Sequence, residues 1–158
     1  MPKTTIFLTI ALCAASLVSS AEEKNTMPST VKRVTPVLFV ENVEPCLKFW
    51  EQLGFQRTME VPDGASLAFA AVQKDGVEVM YQSFASAMND PSASAAAKER
   101  LRSHAFLFVE IADLAPVLTA LRGTKLEVEK HQTFYGSQEI VVRDPGGHFV
   151  TFAQFAKK

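Results

Sequence analysis

The chain has 158 residues, of which 47% are hydrophobic and 21% are charged, and its formal net charge is −1. This composition is typical of a globular domain and excludes a disordered chain, a coiled coil and a collagen-like fibre. The charge gives no electrostatic reason to expect nucleic acid or an anionic membrane surface as a partner. Two cysteines without a CxxC pair indicate neither a disulfide scaffold nor a zinc site.

The first segment has the three parts of a secretory signal peptide. Lys3 precedes an apolar run that ends at Val18, and small residues lead to Ala21 before the charged residues begin at Glu22. The apolar run is too short to span a membrane comfortably, and small residues before a charged stretch are typical of a cleavage site.

This pattern divides the chain into three parts. We expect residues 1–21 to be a signal peptide, residues 22–32 a linker and residues 33–156 a single domain. The protein is then secreted or periplasmic, with no membrane contact once the signal is removed. Translation from Met27 is the alternative, and it would give a cytoplasmic protein.

The same succession of elements occurs twice in the domain. The tetrapeptide LFVE at 38–41 recurs at 107–110. Each copy leads into a predicted helix that begins at a capping residue, Asn42 or Asp113, and ends at a glycine. A later strand, GVEVMY, has its counterpart in GHFVTF, 71 residues further on. Shared order and spacing make a chance repeat improbable.

Each copy is predicted to be a β-α-β-β-β module. The modules cover residues 33–83 and 103–156, and the polar connector 84–102 contains a stretch at 93–101 that favours a short helix. Between the repeated landmarks, further strands are predicted at 56–61, 67–73, 125–129 and 139–143.

The first strand of each module is apolar on both faces. Val37–Val40 and Ala105–Val109 contain no polar alternation, whereas a strand with one wet face would alternate. One face of each sheet must pack against helices, and the other must meet something else that is apolar. Two small sheets that curl around a cavity satisfy this requirement, which indicates an α+β fold.

Two motifs resemble those of a known superfamily. FWEQLGF at 49–55 ends the first helix and RDPGGH at 143–148 precedes the last strand. With the paired modules, they resemble the vicinal oxygen chelate superfamily, which contains glyoxalase I, ring-cleaving dioxygenases and bleomycin-resistance proteins. The resemblance covers about residues 34–155. It implies an α+β fold of two βαβββ modules that form a curled mixed sheet around a cavity, and it implies a homodimer.

The resemblance also identifies the positions at which enzymes of the superfamily hold a divalent metal. In this sequence they are Thr35, Met80, His104 and Thr151. Only His104 is a strong ligand for a hard or borderline cation, since a thioether is soft and a hydroxyl is weak. We therefore predict no metal and no catalytic residue. No GxGxxG or phosphate-loop motif indicates a nucleotide, so no cofactor is expected.

Residues two apart on a strand share a face, and this alternation identifies the wall of the cavity. An apolar wall rich in phenylalanine suits a flat organic ligand. Glu139 joins the predicted set because related metal-free sequences often carry an acidic residue after an aromatic-glycine pair. The predicted ligand-binding residues are Thr35, Val37, Phe39, Glu78, Met80, Gln82, His104, Phe106, Phe108, Glu139, Phe149 and Thr151.

Several of these residues have two interpretations. His104 either bonds a ligand or is satisfied locally, and Glu139 either binds a polar ligand group or forms a surface salt bridge. The position of His148 directly after the glycine turn favours a structural role for this residue. Trp50, on the first helix, is expected to lie in the hydrophobic core. Cys46 has no evident histidine partner, so the sequence does not indicate a nucleophile.

Three functions are compatible with the sequence. The first is a metal-independent protein, closest to the bleomycin-resistance branch, that binds a small, mostly apolar or aromatic molecule. The second is a metal-dependent lyase or dioxygenase of the superfamily that recruits Glu78, Glu139 or His148 beside His104. The third is a protein that keeps the fold only as a dimerisation scaffold.

Overall fold

The computed structural model of the protein describes residues 32–91 and 94–156. The predicted signal peptide and nearly all of the predicted linker lie outside these residues and remain predictions. No helix among the described residues is long and apolar enough to cross a membrane.

Both predicted modules are present, and each contains a four-stranded mixed sheet. The elements are β1 (Val37–Val40), α1 (Val43–Gln52), β2 (Gln56–Asp63), β3 (Ser66–Lys74), β4 (Val77–Ser83), α2 (Phe84–Asn89), α3 (Ala95–Arg100), β5 (Phe106–Glu110), α4 (Leu114–Ala120), β6 (Leu126–Gln132), β7 (Ser137–Arg143) and β8 (Phe149–Phe155). The first sheet has the strand order β1-β4-β3-β2 and the second has the order β5-β8-β7-β6. In each sheet one edge strand, β1 or β5, runs parallel to its neighbour. The α+β fold of two βαβββ modules is therefore confirmed.

The helix boundaries follow the capping signals, with one exception. The Asp113 carboxylate accepts a hydrogen bond from the backbone N–H of Ala115 at 2.9 Å and caps α4. Asn42 stands at the same place before α1, but its side chain makes no capping bond. At the other end of α1, Gly54 has a φ of +84°, which L-residues with a Cβ rarely adopt.

The largest differences from the predicted elements lie in polar segments. The hairpin strands β2 and β6 extend past the predicted ends at residues 61 and 129, through residues that are exposed on both faces. Neither extension shows the apolar alternation that identifies a strand, because neither face of it is buried. The connector contains α3, as predicted, and also α2, which the sequence analysis missed.

One hydrophobic core serves both modules. Trp50 of α1 is fully buried, and its ring centroid lies 6.4 Å from that of Phe152 on β8. Leu38 and Val40 of β1 belong to the same cluster as Ile140 of β7. Because each module completes the core of the other, the modules are expected to fold together.

A chain of buried hydrogen bonds also crosses between the modules. The Trp50 indole N–H donates to the Tyr81 hydroxyl at 2.7 Å, and that hydroxyl donates to Asp144 Oδ2 at 2.6 Å. The other oxygen, Asp144 Oδ1, accepts the backbone N–H of His148 at 2.8 Å. We call these four residues the buried hydrogen-bond chain.

Both ring nitrogens of His148 form further hydrogen bonds, one to the backbone of each module. Nδ1 accepts the backbone N–H of Ala105 at 3.0 Å, so the proton of the neutral ring is on Nε2. Nε2 therefore donates to the backbone oxygen of Phe39 on β1, at 3.2 Å. The predicted structural role of His148 agrees with these contacts.

Tyr81→Phe should destabilise the protein by about 2–4 kcal/mol, because it leaves the buried Trp50 N–H without an acceptor and removes a donor from Asp144. Urea unfolding of full-length protein measures this loss. The control is Thr119→Ala, which removes an exposed hydroxyl on α4 and should change stability by less than about 0.5 kcal/mol. Equal stabilities of the two variants would show that the buried chain contributes little.

Candidate functional site

Each sheet has a face that is turned away from its helix, and we call it the open face. Along β1, Leu38 and Val40 belong to the core, whereas Val37 is 40% exposed. Along β5, Phe106 and Phe108 are 78% and 56% exposed. The apolar face predicted by alternation is present. In one chain it is an open surface rather than an enclosed cavity, because the two sheets are separate and the modules share their buried sides.

The open face of the first sheet carries four of the predicted residues in two rows. Val37 lies opposite Met80, and Phe39 lies opposite Gln82, in the parallel register of β1 and β4. Phe39 and Gln82 also line a pocket of about 250 Å³ beneath the connector helices, which we call the connector pocket. Its other lining residues are Ala87, Asp90, Ala97, Arg100 and Leu101.

Thr35 and Glu78 form a polar group at the beginning of β1 and β4. The Thr35 hydroxyl donates to Glu78 Oε1 at 3.4 Å, and Arg33 forms an ion pair with Oε2 at 3.5 Å. The Glu78 side chain is only 8% exposed. Glu78 and Phe108 both line a mostly apolar pocket of about 220 Å³ between the modules, the boundary pocket.

The open face of the second sheet carries a stack of three side chains. The rings of Phe106 and Phe149 are parallel within 6°, with centroids 4.8 Å apart. The Arg143 guanidinium lies over the other side of the Phe149 ring, 4.4 Å from its centroid. The order Arg143–Phe149–Phe106 follows from the register of β7, β8 and β5. Phe106 is the outermost member, and its outer ring face is exposed.

Two further predicted residues adjoin this stack. Thr151 lies opposite Phe108 in the register of β5 and β8. His104 is exposed, and its ring centroid lies 6.5 Å from that of Phe149. His104 makes no hydrogen bond among the described residues, and the Nε2 edge of its ring lies beside Gly147 at the end of the stack.

Glu139 belongs to a separate polar cluster at the far end of the same open face. Its Oε1 accepts hydrogen bonds from the Tyr135 hydroxyl at 2.7 Å and from the Ser137 hydroxyl at 2.6 Å. Thr133 lies 2.8 Å from the Ser137 hydroxyl. The hydrogen bond to Glu139 raises the pKa of Tyr135, because the neighbouring carboxylate disfavours the phenolate. We call these four residues the Glu139 cluster.

The surface salt bridge suggested for Glu139 is absent. Glu139 is 5% exposed, and among residues 32–91 and 94–156 no lysine, arginine or histidine nitrogen lies within 4.0 Å of its carboxylate. The sequence could not reveal this, because burial of the carboxylate depends on the loop that places Tyr135 over it.

The surroundings of Cys46 give no support to a role as a nucleophile. Its thiol is buried in α1 and lies 3.6 Å from the backbone oxygen of Asn42. Burial, with the negative charge of Asp144 nearby, raises the pKa of this thiol to about 12. A thiol with that pKa carries almost no thiolate at neutral pH.

The residues at the superfamily's metal positions do not fit a divalent cation. Thr35, Met80 and Thr151 supply two hydroxyls and a thioether beside His104, and only the imidazole is a strong donor for Zn²⁺, Fe²⁺, Mn²⁺ or Ni²⁺. In the part of the chain that the structure describes, no three His, Cys, Asp or Glu side chains are grouped closely enough to hold a metal ion.

The alternative ligand set of the sequence analysis is not assembled either. Glu78 is engaged with Arg33 and Thr35, and Glu139 lies in its own cluster on β7. The ring of His148 uses both nitrogens in backbone hydrogen bonds. The ring of His148 lies close to that of His104, with centroids 6.3 Å apart, but neither of its nitrogens is free to bind a metal ion.

Sequence reasoning missed Arg143 and Tyr135. A signal for Arg143 was available, because Arg143 and Phe149 flank the Asp144–His148 turn symmetrically and a hairpin places such residues opposite each other. Tyr135 is the aromatic member of the aromatic-glycine pair from which Glu139 was predicted, but the pair did not indicate its hydrogen bond to Glu139, which depends on the shape of the β6–β7 loop.

The sequence matches the model of one known protein family. The sequence matches, over residues 30–152, the model of the Glyoxalase/Bleomycin resistance protein/Dioxygenase superfamily. No curated protein matches the sequence.

Several solved structures share the fold at low identity. TioX from Micromonospora sp. ML1 is 16% identical with a TM-score of 0.65, and the match covers 80% of this chain and 100% of that chain. Lactoylglutathione lyase from Agrobacterium tumefaciens is 14% identical with a TM-score of 0.60, and the match covers 79% of this chain and 95% of that chain. A bleomycin-binding protein complexed with bleomycin is 15% identical with a TM-score of 0.55, and the match covers 80% of this chain and 100% of that chain.

Protein purified without an affinity tag and dialysed against Zn²⁺, Mn²⁺, Fe²⁺ or Ni²⁺ should retain far less than one ion per chain. A single exposed imidazole next to an apolar stack cannot replace the hydration of a divalent cation. Elemental analysis measures the retained metal, and His104→Ala is expected to leave the value unchanged. Near-stoichiometric retention that His104→Ala abolishes would contradict this prediction and favour an enzyme.

Proposed function

The chain belongs to the Glyoxalase/Bleomycin resistance protein/Dioxygenase superfamily, and on this basis we propose that it binds a small, mostly apolar or aromatic molecule without a metal ion. The observation that carries the proposal is the stack of Arg143, Phe149 and Phe106. A planar ligand that lies against the outer face of Phe106 extends this stack by one layer.

The geometry of the stack favours a flat ligand over a compact aliphatic one. Offset or parallel aromatic pairs with centroids 4.5–7 Å apart stabilise each other beyond the area they bury. The Arg143 guanidinium packs on one face of the Phe149 ring, and the Phe106 ring stacks on the other face. One face of the Phe106 ring is thus supported by Phe149, although the side chain is largely exposed.

The surroundings of the stack supply the remaining contacts. Phe108 lies two residues further along β5 on the same face, and Thr151 lies opposite it with a hydroxyl. His104 borders the other end, and its ring nitrogens make no hydrogen bond among the described residues. The site therefore offers a broad apolar surface with a few polar groups, which is the usual composition of a small-molecule site.

A structural relative supports a binding role. A bleomycin-binding protein with the same fold was solved with bleomycin bound, so this architecture accommodates an organic ligand. The donor set at the metal positions gives no support to a lyase or dioxygenase reaction. We therefore favour binding without conversion of the ligand.

The exposed apolar surface also leads us to propose a homodimer. On the open face of the first sheet, Val37, Met59 and Val61 are between 40% and 51% exposed. Met59 and Met80 are both opposite Ala71, so they form a row across the sheet. Contiguous apolar surface of this kind on a soluble protein is typical of an interaction site.

The neutral probe 2-naphthylmethanol should bind to the protein, and Phe106→Ala should weaken its binding by about five- to tenfold through loss of one stacking partner. Amide chemical-shift titration measures both dissociation constants. Because Phe106 is 78% exposed, the variant should retain its stability. Met88→Ala, which truncates an exposed side chain on α2, is the control and should bind normally. Equal affinities of the two variants would contradict the proposed site.

Sedimentation equilibrium should give twice the mass of one chain at micromolar concentration. Met59→Lys should shift this equilibrium toward monomer by at least about tenfold, since it places a charge in the proposed interface. Met88→Lys adds the same charge outside the open face and should leave the dimer intact. A monomeric unmodified protein, or equal effects of both substitutions, would contradict the dimer.

A further inference from the structure

The Glu139 cluster contains a buried carboxylate with one unused oxygen. Oε1 accepts two hydrogen bonds, from Tyr135 and Ser137, whereas Oε2 accepts none among the described residues. No fully buried side-chain oxygen or nitrogen in the described part of the chain lacks a partner. Oε2 must therefore retain some contact with solvent, at the surface of the open face.

Among the described residues, no ion pair balances the charge of this carboxylate. His131 lies opposite Glu139 in the register of β6 and β7, but its Nδ1 faces the backbone oxygen of Glu129 at 3.0 Å. No cationic side chain of the described residues lies within salt-bridge distance of Glu139, although only 5% of the residue is exposed. A carboxylate removed from water without a cation or a full set of hydrogen bonds is unfavourable. A ligand that brings a positive charge to Oε2 removes this penalty.

The position of Glu139 on β7 determines the direction in which its side chain points. Ile140 and Val142 of β7 are fully buried in the hydrophobic core, so Glu139 projects to the opposite, open face. Two donors on Oε1 hold the carboxylate in one orientation before any ligand arrives. The site is thus preorganised for a donor that approaches Oε2.

Tyr135, which donates a hydrogen bond to the carboxylate, belongs to a group of aromatic rings. The ring of Tyr135 is half exposed, and its centroid lies 6.4 Å from that of Phe155 and 5.0 Å from that of Phe134. Phe155 pairs with Ser137 in the register of β7 and β8, on the same open face. Aromatic rings beside a carboxylate are suited to an organic cation, because the ring faces attract positive charge.

We infer that the Glu139 cluster is a binding site for the ammonium group of an organic ligand. The N–H donors of a primary ammonium would bond Oε2, and its carbon chain would contact Tyr135 and Phe155. This inference rests on the proposed function and specifies it: the natural ligand carries a basic nitrogen as well as a flat apolar part.

This cluster is spatially distinct from the aromatic stack. Glu139 lies opposite Ala153 on β8, four residues along the strand from Phe149. Four residues of extended strand span about 13 Å. A single small probe therefore cannot occupy both sites, and each site can be tested separately.

The test compares benzylammonium with benzyl alcohol, which has nearly the same shape without the charge. In an amide chemical-shift titration of the full-length protein, benzylammonium should shift Ser137, Glu139, Ala153 and Phe155. Benzyl alcohol should bind at least about tenfold more weakly, because a hydrogen bond between charged groups is lost.

Glu139→Gln keeps the size of the side chain and its acceptor for Tyr135 and Ser137 but removes the charge. It should weaken benzylammonium binding about tenfold and leave 2-naphthylmethanol binding unchanged. The matched control is Glu129→Gln, which changes the net charge equally at an exposed position on β6 and should have no effect. Phe155→Ala, a second variant that leaves the cluster's hydrogen bonds in place, should weaken benzylammonium binding severalfold.

The outcomes separate the two proposals. Binding of 2-naphthylmethanol without a preference for benzylammonium over benzyl alcohol overturns the ammonium site alone. Equal effects of Glu139→Gln and Glu129→Gln overturn it as well. If Glu139→Gln weakens the dimer but not benzylammonium binding, a cationic side chain of a second copy occupies the cluster and the inference is wrong. Failure of 2-naphthylmethanol to bind, with benzylammonium binding intact, overturns the aromatic site alone.

Discussion

The buried hydrogen-bond chain of Trp50, Tyr81, Asp144 and His148 is the constraint on which the rest of the structure depends. It begins on the helix of the first module and ends on the turn before the last strand of the second. Buried polar groups of this kind stabilise only the arrangement in which all of them are satisfied. The chain therefore fixes how the two modules meet.

This arrangement determines which surfaces are left for function. The buried sides of both sheets are used to join the modules, so the apolar side chains that remain exposed, such as Phe106 and Phe108, lie on the opposite faces. His148 bonds the carbonyl of Phe39 on one side and the N–H of Ala105 on the other, next to the strand that carries Phe106. The structural chain and the proposed binding face are thus parts of one arrangement.

Much of this could be predicted from the sequence. The LFVE repeat and the glycine-delimited strands identified both modules, and alternation placed Phe106, Phe108 and Phe149 on one face. The exposure of that face could not be predicted, because it depends on which sides of the sheets meet. Cross-strand and loop contacts, such as Arg143 over Phe149 and Tyr135 on Glu139, require a register and a loop shape that a single sequence does not specify.

The open face of the second sheet carries an aromatic stack and, about 13 Å away, a carboxylate that forms no ion pair among the described residues. The central claim is that the stack is the site of a flat ligand. A crystal structure of the protein with 2-naphthylmethanol tests it most directly. The account predicts the naphthyl ring parallel to Phe106 on its exposed side, with Phe106 between it and Phe149. A ring bound instead in the connector pocket or the boundary pocket, with Phe106 free, would contradict it.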